Sequence, residues 1–272
     1  MRKTNIIICG YGKMGTLIEE RALEKTVHIA AIIDPASSSS KSLFGTTVYK
    51  SIRDMPPDIG MQDTEDSDSG ANCVAIDFTN PPSVLNNVNE FAKRKIPLVL
   101  GTTGWLDKLP EVEKIIKDNG SSLLWSTNFS LGVNLFYRVA AYTSALINNY
   151  DDYDVAGWEI HHNQKADSPS GTAKTIAQIV LKNFTCKTKV VDEKLDRKPD
   201  DCELHFASMR CGSVPGTHAL LFDSIADSIE IKHTARNREG LVSGALTAAL
   251  WLSKKTSSPG VSGIWTMDDV LE

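Results

Sequence analysis

Fifteen consecutive residues, 159–173, hold Glu159, the adjacent pair His161-His162, Lys165 and the run Ser168-Pro169-Ser170-Gly171-Thr172. An imidazole with its ordinary pKa of about 6.5 and a lysine ammonium can both exchange a proton near neutral pH. Ser170-Gly171-Thr172 predicts a helix start, whose first N–H groups have no partner within the helix and so attract an anion, while Lys165 adds a full positive charge. These residue types suit proton transfer to a small molecule that carries carboxylates. If 159–162 is extended, neighbouring histidines point to opposite sides, so one faces a given pocket and the other leans on the loop. Two plainer alternatives use the same residues: a histidine pair that binds a metal, and a Ser-Pro-Ser-Gly stretch that is only a turn. No metal is expected, because His28, His205, His218 and His233 lie at no recognisable ligand spacing with Asp, Glu or Cys.

A second group of residues points to a nucleotide. Gly10-Tyr11-Gly12-Lys13-Met14-Gly15 reads G-x-G-x-x-G, and Asp34 stands nineteen residues beyond the last glycine. Gly10 permits a tight turn, Gly12 lets backbone approach a pyrophosphate without a Cβ, Gly15 allows close helix packing, and Asp34 can accept from a ribose hydroxyl. An acidic residue there repels a 2′-phosphate and favours NADH; Lys13 and Lys41, with the serines of 37–40, offer charge and donors to a phosphate and leave NADPH, or use of both, open. Gly101-Thr102-Thr103-Gly104 follows an apolar run and would lie on the carboxyl edge of an open sheet, where ligands bind; an ordinary strand-to-helix turn explains it equally well. Asp77 and Thr79 are expected to bond loop backbone.

The elements that must position these groups are legible as alternating short apolar runs and helical patterns. Strands are expected at 5–9, 28–33, 74–78, 98–100 and 122–125, with helices at 14–25, 82–95 and 109–117 between them, the pattern of a Rossmann-type, doubly wound parallel sheet covered on both faces. After about residue 128 the pattern changes. Helices at 133–148 and 172–183 and strands at 155–162, 203–207, 217–222 and 228–233, the last three alternating polar and apolar, predict an α+β domain on a largely antiparallel sheet. The expected division is 1–127 for the dinucleotide-binding domain, 128–239 for a substrate-binding and oligomerisation domain, and 240–272 as a segment returning to the first. Serines 37–40 and the acidic stretch 56–70 read as surface loops. The 272 residues carry 29 Lys+Arg against 34 Asp+Glu, a net charge of −5 that argues against a nucleic-acid partner. No apolar run reaches the roughly 20 residues needed to span a bilayer, so no membrane partner is expected. Five scattered cysteines without a C-x-x-C indicate neither a disulfide framework nor a thiolate zinc site, and suit a cytoplasmic protein.

The run E-I-H-H-N-Q-K-A-D-S-P-S-G-T-A resembles the signature of the dihydrodipicolinate reductase family, whose members reduce 4-hydroxy-tetrahydrodipicolinate in diaminopimelate and lysine biosynthesis. The likeness extends to Gly10–Gly15, to the G-T-T-G turn at 101–104, to T-N-F-S-L-G-V-N at 127–134, to Arg210-Cys211-Gly212 with Gly216-Thr217-His218, and to the helix around Gly244-Ala245-Leu246. It implies that His161 is the acid/base residue and Lys165 the proton donor. His162, Gly171 and Thr172 would hold two carboxylates of the substrate. The nicotinamide of NADH or NADPH would lie against Gly101, Thr102 and Thr103 and the turn Ser126, Thr127, Asn128 and Phe129. A homotetramer formed through the second domain is also implied. Many members have arginine where Lys13 stands and alanine where Ser168 stands. Another nicotinamide-dependent dehydrogenase of a small amino or keto acid is the competing expectation.

Overall fold

The structure, a computed structural model, describes residues 4–24, 27–59 and 73–272. The acidic stretch expected as a loop lies outside the described residues from position 60 onward, as does Lys25 at the expected end of the first helix. The chain divides into two compact units, Met1–Ser130 together with Leu241–Glu272, and Leu131–Gly240.

The first unit opens with β1 (Thr4–Cys9), α1 (Lys13–Ala22) and β2 (Val27–Ile33), a βαβ crossover. It continues through β3 (Val48–Tyr49), β4 (Cys73–Asp77), α2 (Val84–Lys93), β5 (Leu98–Leu100), α3 (Leu109–Asp118) and β6 (Ser122–Trp125). In the second unit come α4 (Leu131–Ile147), β7 (Asp154–His161), α5 (Gly171–Asn183), β8 (Lys189–Val191), β9 (Glu203–Arg210), β10 (Thr217–Asp223) and β11 (Ser228–Thr234). The chain then returns to the first unit along α6 (Glu239–Lys255) and ends with β12 (Gly263–Thr266) and α7 (Met267–Val270).

The first sheet has the order β12-β6-β5-β4-β1-β2-β3, and every pairing in it is parallel. Its central strands are buried on both faces, as sheets covered by helices require; Ile6, Ile7, Ile8, Val74, Ala75 and Ile76 have at most 1% of their surface exposed. Sequence order reverses between β1 and β4, which run side by side with Cys9 opposite Asp77. That switch point leaves a crevice at the carboxyl ends of the two strands.

The second sheet has the order β11-β10-β7-β9-β8. It is mixed: β10 pairs antiparallel with β7 and β11, whereas β9 runs parallel to both β7 and β8. The expected antiparallel strand at 203–207 is therefore parallel to its neighbours. Alternation of polar and apolar residues reports that one face is wet, and carries no information on strand direction. Parallel pairing needs a crossover, and α5 supplies it between β7 and the β8–β9 edge. The short strands β3, β8 and β12, of two to four residues, have too little pattern to be seen in advance.

Candidate active site

At the switch point the backbone is shaped by close approaches. Gly10 has φ +91° and donates its N–H to the Ile33 carbonyl at 2.8 Å; a Cβ there would sit 2.5 Å from the Phe78 carbonyl oxygen. A Cβ at Gly15 would sit 2.2 Å from the carbonyl oxygen of Gly10, so α1 can leave the loop at this angle only without one. A Cβ on Gly12 would meet nothing within 4 Å. Gly10 and Gly15 are thus forced by the protein's own packing, and Gly12 is left open toward a cavity of about 660 Å³. Tyr11 and Asp34 also line that cavity, as do Lys50 and Arg53.

Asp34 holds the loop as well as facing the cavity. One carboxylate oxygen accepts the Tyr11 N–H at 2.9 Å and the other the Ala36 N–H at 2.8 Å. The Tyr11 ring turns away: its hydroxyl donates to Glu19 at 2.5 Å, and Glu19 also accepts from Ser42 at 2.6 Å, which ties residues 42–43 to α1. Lys13 is exposed at the first position of α1 and Met14 is half-buried beside it. Lys41, expected as a phosphate contact, instead bonds Thr47 at 2.8 Å and lies outside the cavity lining. The cations that line it are Lys50, bonded to the Ser37 carbonyl, and Arg53, which forms a two-point pair with Glu90 at 3.0 and 3.1 Å. Neither stands out in the sequence, because they follow a two-residue strand.

The two remaining expected cofactor segments meet through Phe78. A Cβ on Gly101 would fall 2.3 Å from the Phe78 ring, and Phe129 packs edge-on to the same ring at 6.0 Å. Thr102 is buried and donates to Asp77 at 2.9 Å, while its hydroxyl accepts the Thr79 N–H at 2.8 Å. Thr103 and Thr127 are exposed. Ser126 and Asn128 close a turn by a 2.8 Å bond from the Ser126 hydroxyl to the Asn128 carbonyl. Asp77 accepts from the Thr79 backbone and hydroxyl as expected, and additionally from Asn87 at 2.8 Å. Residues 101–103 and 126–129 do not line the cavity around Asp34, whereas Thr79 does.

In the second unit the strand register assembles the chemistry. Along β7, Val155, Gly157, Glu159 and His161 fall on the buried face. Glu159 stands opposite His218 on β10 and Ser208 on β9, and His161 stands opposite Arg210. Glu159 is fully buried and is surrounded by donors: the Ser170 N–H and the Ser208 hydroxyl at 3.0 Å each, both Arg210 Nη atoms at 3.3 Å, and the Ser170 hydroxyl. The His161 Nδ1 and His218 Nε2 atoms each lie 3.3 Å from its other oxygen. The two imidazoles meet edge to face at 5.0 Å. Burial opposes the Glu159 charge, but the bonds from His218 and Ser170 outweigh it and hold the carboxyl well below the usual carboxylate range. Burial drives His161 the other way, down to about 4, with Glu159 opposing and His218, Lys165 and Arg210 adding to the shift. His161 is therefore neutral at pH 7.

Residues 162–169 are pinned over this row. The Lys165 N–H bonds the His162 carbonyl at 3.2 Å, and Arg210 reaches the carbonyls of Lys165 and Asp167. Lys165 keeps its ammonium 2.7 Å from Asp167 and is three-quarters buried, and that ammonium holds the Asp167 carboxyl below its usual range. His162 lies just past the end of β7 and is half-buried. Ser170 caps α5, accepting the Ala173 N–H at 3.1 Å. Gly171, the first residue of α5, is exposed with open space where a Cβ would be, and Thr172 bonds the Tyr137 phenol.

His218 corrects the expectation that it forms no cluster with Asp, Glu or Cys: it lies far away in sequence and reaches Glu159 through the β7–β10 register. Glu159, His161 and His218 even have ligand atoms within 4.8 Å of one another. Arg210 supplies a positive charge beside the buried carboxylate, while the Nδ1 atoms of His161 and His218 have no hydrogen-bond partner among the described residues. Glu159, Arg210 and His218 have no role assigned from the sequence, and Ser170, expected to open the helix, also bonds Glu159.

The chain matches the family models for the dihydrodipicolinate reductase N-terminus over residues 4–129 and C-terminus over residues 132–271. It is 38% identical to a 4-hydroxy-tetrahydrodipicolinate reductase of Christiangramia forsetii, covering 98% of this chain and 97% of the relative. It is 33% identical to the enzyme of that name from Methanococcoides burtonii, over 96% of this chain and 95% of the relative. Among solved structures, the fold is similar to a dihydrodipicolinate reductase from Paenisporosarcina sp. TG-14 with dipicolinate bound. There the TM-score is 0.73 at 19% identity, covering 97% of each chain. An amine dehydrogenase from Mycobacterium smegmatis shares the fold more loosely, with TM-score 0.60 at 12% identity, covering 97% of this chain and 95% of that one. Matched along nearly its whole length by both family models and by these relatives, the chain belongs to the dihydrodipicolinate reductase family.

Proposed function

We propose that the protein reduces 4-hydroxy-tetrahydrodipicolinate to tetrahydrodipicolinate, with loss of water, using NADH or NADPH in diaminopimelate and lysine biosynthesis. The observation that carries this reading is the family relation over 98% of the chain to a relative bearing that activity in its name. The nicotinamide, when bound, supplies the hydride. The residues of the second unit then have three tasks. His162, Gly171 and Thr172 grip the two carboxylates, the helix start contributing N–H donors to an anion. The ring loses water to give a conjugated imine, and its C4 accepts the hydride. The electron pair that returns toward the adjacent carbon takes up a proton there, and Lys165 is the donor we assign, because His161, held neutral, has none to spare at pH 7. His161 accepts or orients instead.

In the first unit, the crevice around Gly10, Gly12 and Asp34 fits the adenosine and pyrophosphate, and the Gly101–Thr103 and Ser126–Phe129 turns, on the same carboxyl edge, fit the nicotinamide end. Asp34 favours the free ribose of NADH, and Lys50 gives NADPH a cation. We place the enzyme in the cytoplasm, where the reduced cofactor is held, a compartment that suits its five free thiols. A homotetramer is the assembly we favour. Leu135, Val139, Tyr142 and Leu146 form one row along α4 and are 53, 47, 71 and 49% exposed, a stripe that a second copy would cover. Mass measurement in solution decides it.

The test follows loss of nicotinamide absorbance with the condensation product of pyruvate and aspartate semialdehyde, using each cofactor in turn. The parent is expected to turn over, and Lys165→Ala to lose about 10²- to 10⁴-fold in kcat with nucleotide affinity retained. Equal rates in the two proteins would remove Lys165 from the donor role.

A further inference from the structure

The buried face of β7 changes character along its length. Val155 and Gly157 pack in the apolar core, whereas Glu159 and His161, on the same face, sit in a fully polar row that crosses three strands. Burying a carboxylate is costly, and an apolar residue at that position would commonly serve packing as well or better. The polar row therefore calls for a reason beyond stability, and its connections supply one. A single carboxylate, Glu159, has one oxygen 3.3 Å from the Nδ1 of the acid/base histidine, without a hydrogen bond to it, and bonds the cap of the substrate helix through both oxygens.

The proton positions follow from the same contacts. Ser170 gives its only hydroxyl proton to Glu159, so the His218 Nε2 atom, 3.2 Å from that hydroxyl and 3.3 Å from Glu159, must be the protonated one. The two rings meet edge to face, and the Nδ1 atoms of both are buried and, among the described residues, without a hydrogen-bond partner. Gly216 stands against the Nε2 edge of the His161 ring. It has φ +149°, and a Cβ there would come within 2.9 Å of the His161 Nε2 atom. The imidazole is thus held between Glu159, His218 and Gly216.

We propose that His218 and Glu159 are positioning residues for the reduction, which fix the His161 ring and the first turn of α5 in one rigid unit, with Gly216 as the wall behind the ring. The inference rests on the function proposed above. A residue that acts through His161 should move kcat, whereas one that acts through the cap of α5 should move KM.

The experiment measures kcat, KM, nucleotide affinity and melting temperature for the full chain carrying His218→Ala, His218→Gln, Ser170→Ala and Gly216→Ala. His218→Ala is expected to lower kcat at least tenfold with KM changed less than threefold and nucleotide affinity unchanged. His218→Gln, which restores an N–H toward Glu159, should recover most of that loss, and Ser170→Ala should raise KM more than it lowers kcat. Should His218→Ala fail to fold, Gly216→Ala crowds the Nε2 edge of His161 and should lower kcat by itself. A kcat for either variant equal to that of the parent, with only the melting temperature reduced, would reduce the row to a structural role and overturn the inference. Absence of turnover in the parent would instead refute the proposed function.

Discussion

The nucleotide crevice of the first unit and the histidine row of the second are built in opposite ways. The crevice is made by backbone: six consecutive residues set its shape, two of their glycines are demanded by packing, and one side chain, Asp34, closes the loop through two N–H groups. The row is made by side chains from three strands and a helix cap, brought together by register. A backbone site should fail abruptly when a Cβ is added where none fits. A side-chain site should fail in graded steps, each assignable to one group.

The glycines test the first half of that statement most severely. Gly15→Ala places a Cβ 2.2 Å from the Gly10 carbonyl oxygen, and backbone must move to relieve it. A loss of about 3 kcal/mol or more in the stability of the first unit is expected, in the upper range for overpacking. Gly12 has φ −83°, which alanine adopts without strain, and open space before it. Gly12→Ala should therefore leave the melting temperature unchanged while nucleotide affinity falls at least tenfold, because the new methyl group would occupy the path proposed for the pyrophosphate. Calorimetry and nucleotide titration of the two variants separate a packing glycine from a ligand glycine. Identical behaviour of the pair would abolish the distinction.

How far each site could be read in advance follows the same divide. Gly10–Gly15 and Asp34 belong to one local crossover, so chain order alone placed them together. His161 and Lys165 were visible because they are close in sequence and precede a helix cap. Glu159 stood in view as part of the same run but without a role, since nothing local says that a strand carboxylate is buried. His218 and Arg210 stand in the sequence only as part of the family likeness and without a role, because what brings them to Glu159 is pairing between strands far apart in the chain, and pairing partners are not written in local pattern. Lys41 is visible beside the serine loop and Lys50 is not, because only the turn back into β3 decides which lysine faces the crevice. Polar and apolar alternation fixed the faces of the second sheet and left the direction of β9 undetermined.

Asp34 is the position where the first site does depend on a side chain, and its replacement should have an intermediate effect. Asp34→Ala removes the acceptor proposed above for the ribose, together with the anchor for the Tyr11 and Ala36 N–H groups. NADH affinity should fall by roughly tenfold, as for loss of one hydrogen bond to a charged group. The same change removes a negative charge near Lys50, so the ratio of kcat/KM for NADPH over NADH should rise. Steady-state kinetics with both cofactors measure this, and an unchanged ratio would detach Asp34 from cofactor choice.

The smallest expected effect belongs to the second site and concerns pH. His161 is held neutral in the folded protein down to about 4, whereas an unfolded chain protonates it near the ordinary 6.5. Between those values the unfolded state binds more protons, so stability is present above pH 6.5 and is lost as pH falls toward 4. His233, lowered first by burial and then by the nearby His218, acts in the same direction. The shifted carboxyls Glu159 and Glu90 enter later, since their unfolded forms take up protons only around the ordinary 4.5. Urea midpoints measured from pH 7 to 5 should therefore fall for the parent and fall less steeply for His161→Asn, which has nothing to titrate. Parallel slopes for the two proteins would mean that the His161 ring takes up its proton in the folded state as readily as in water. That result would also return it to contention as the proton donor in place of Lys165.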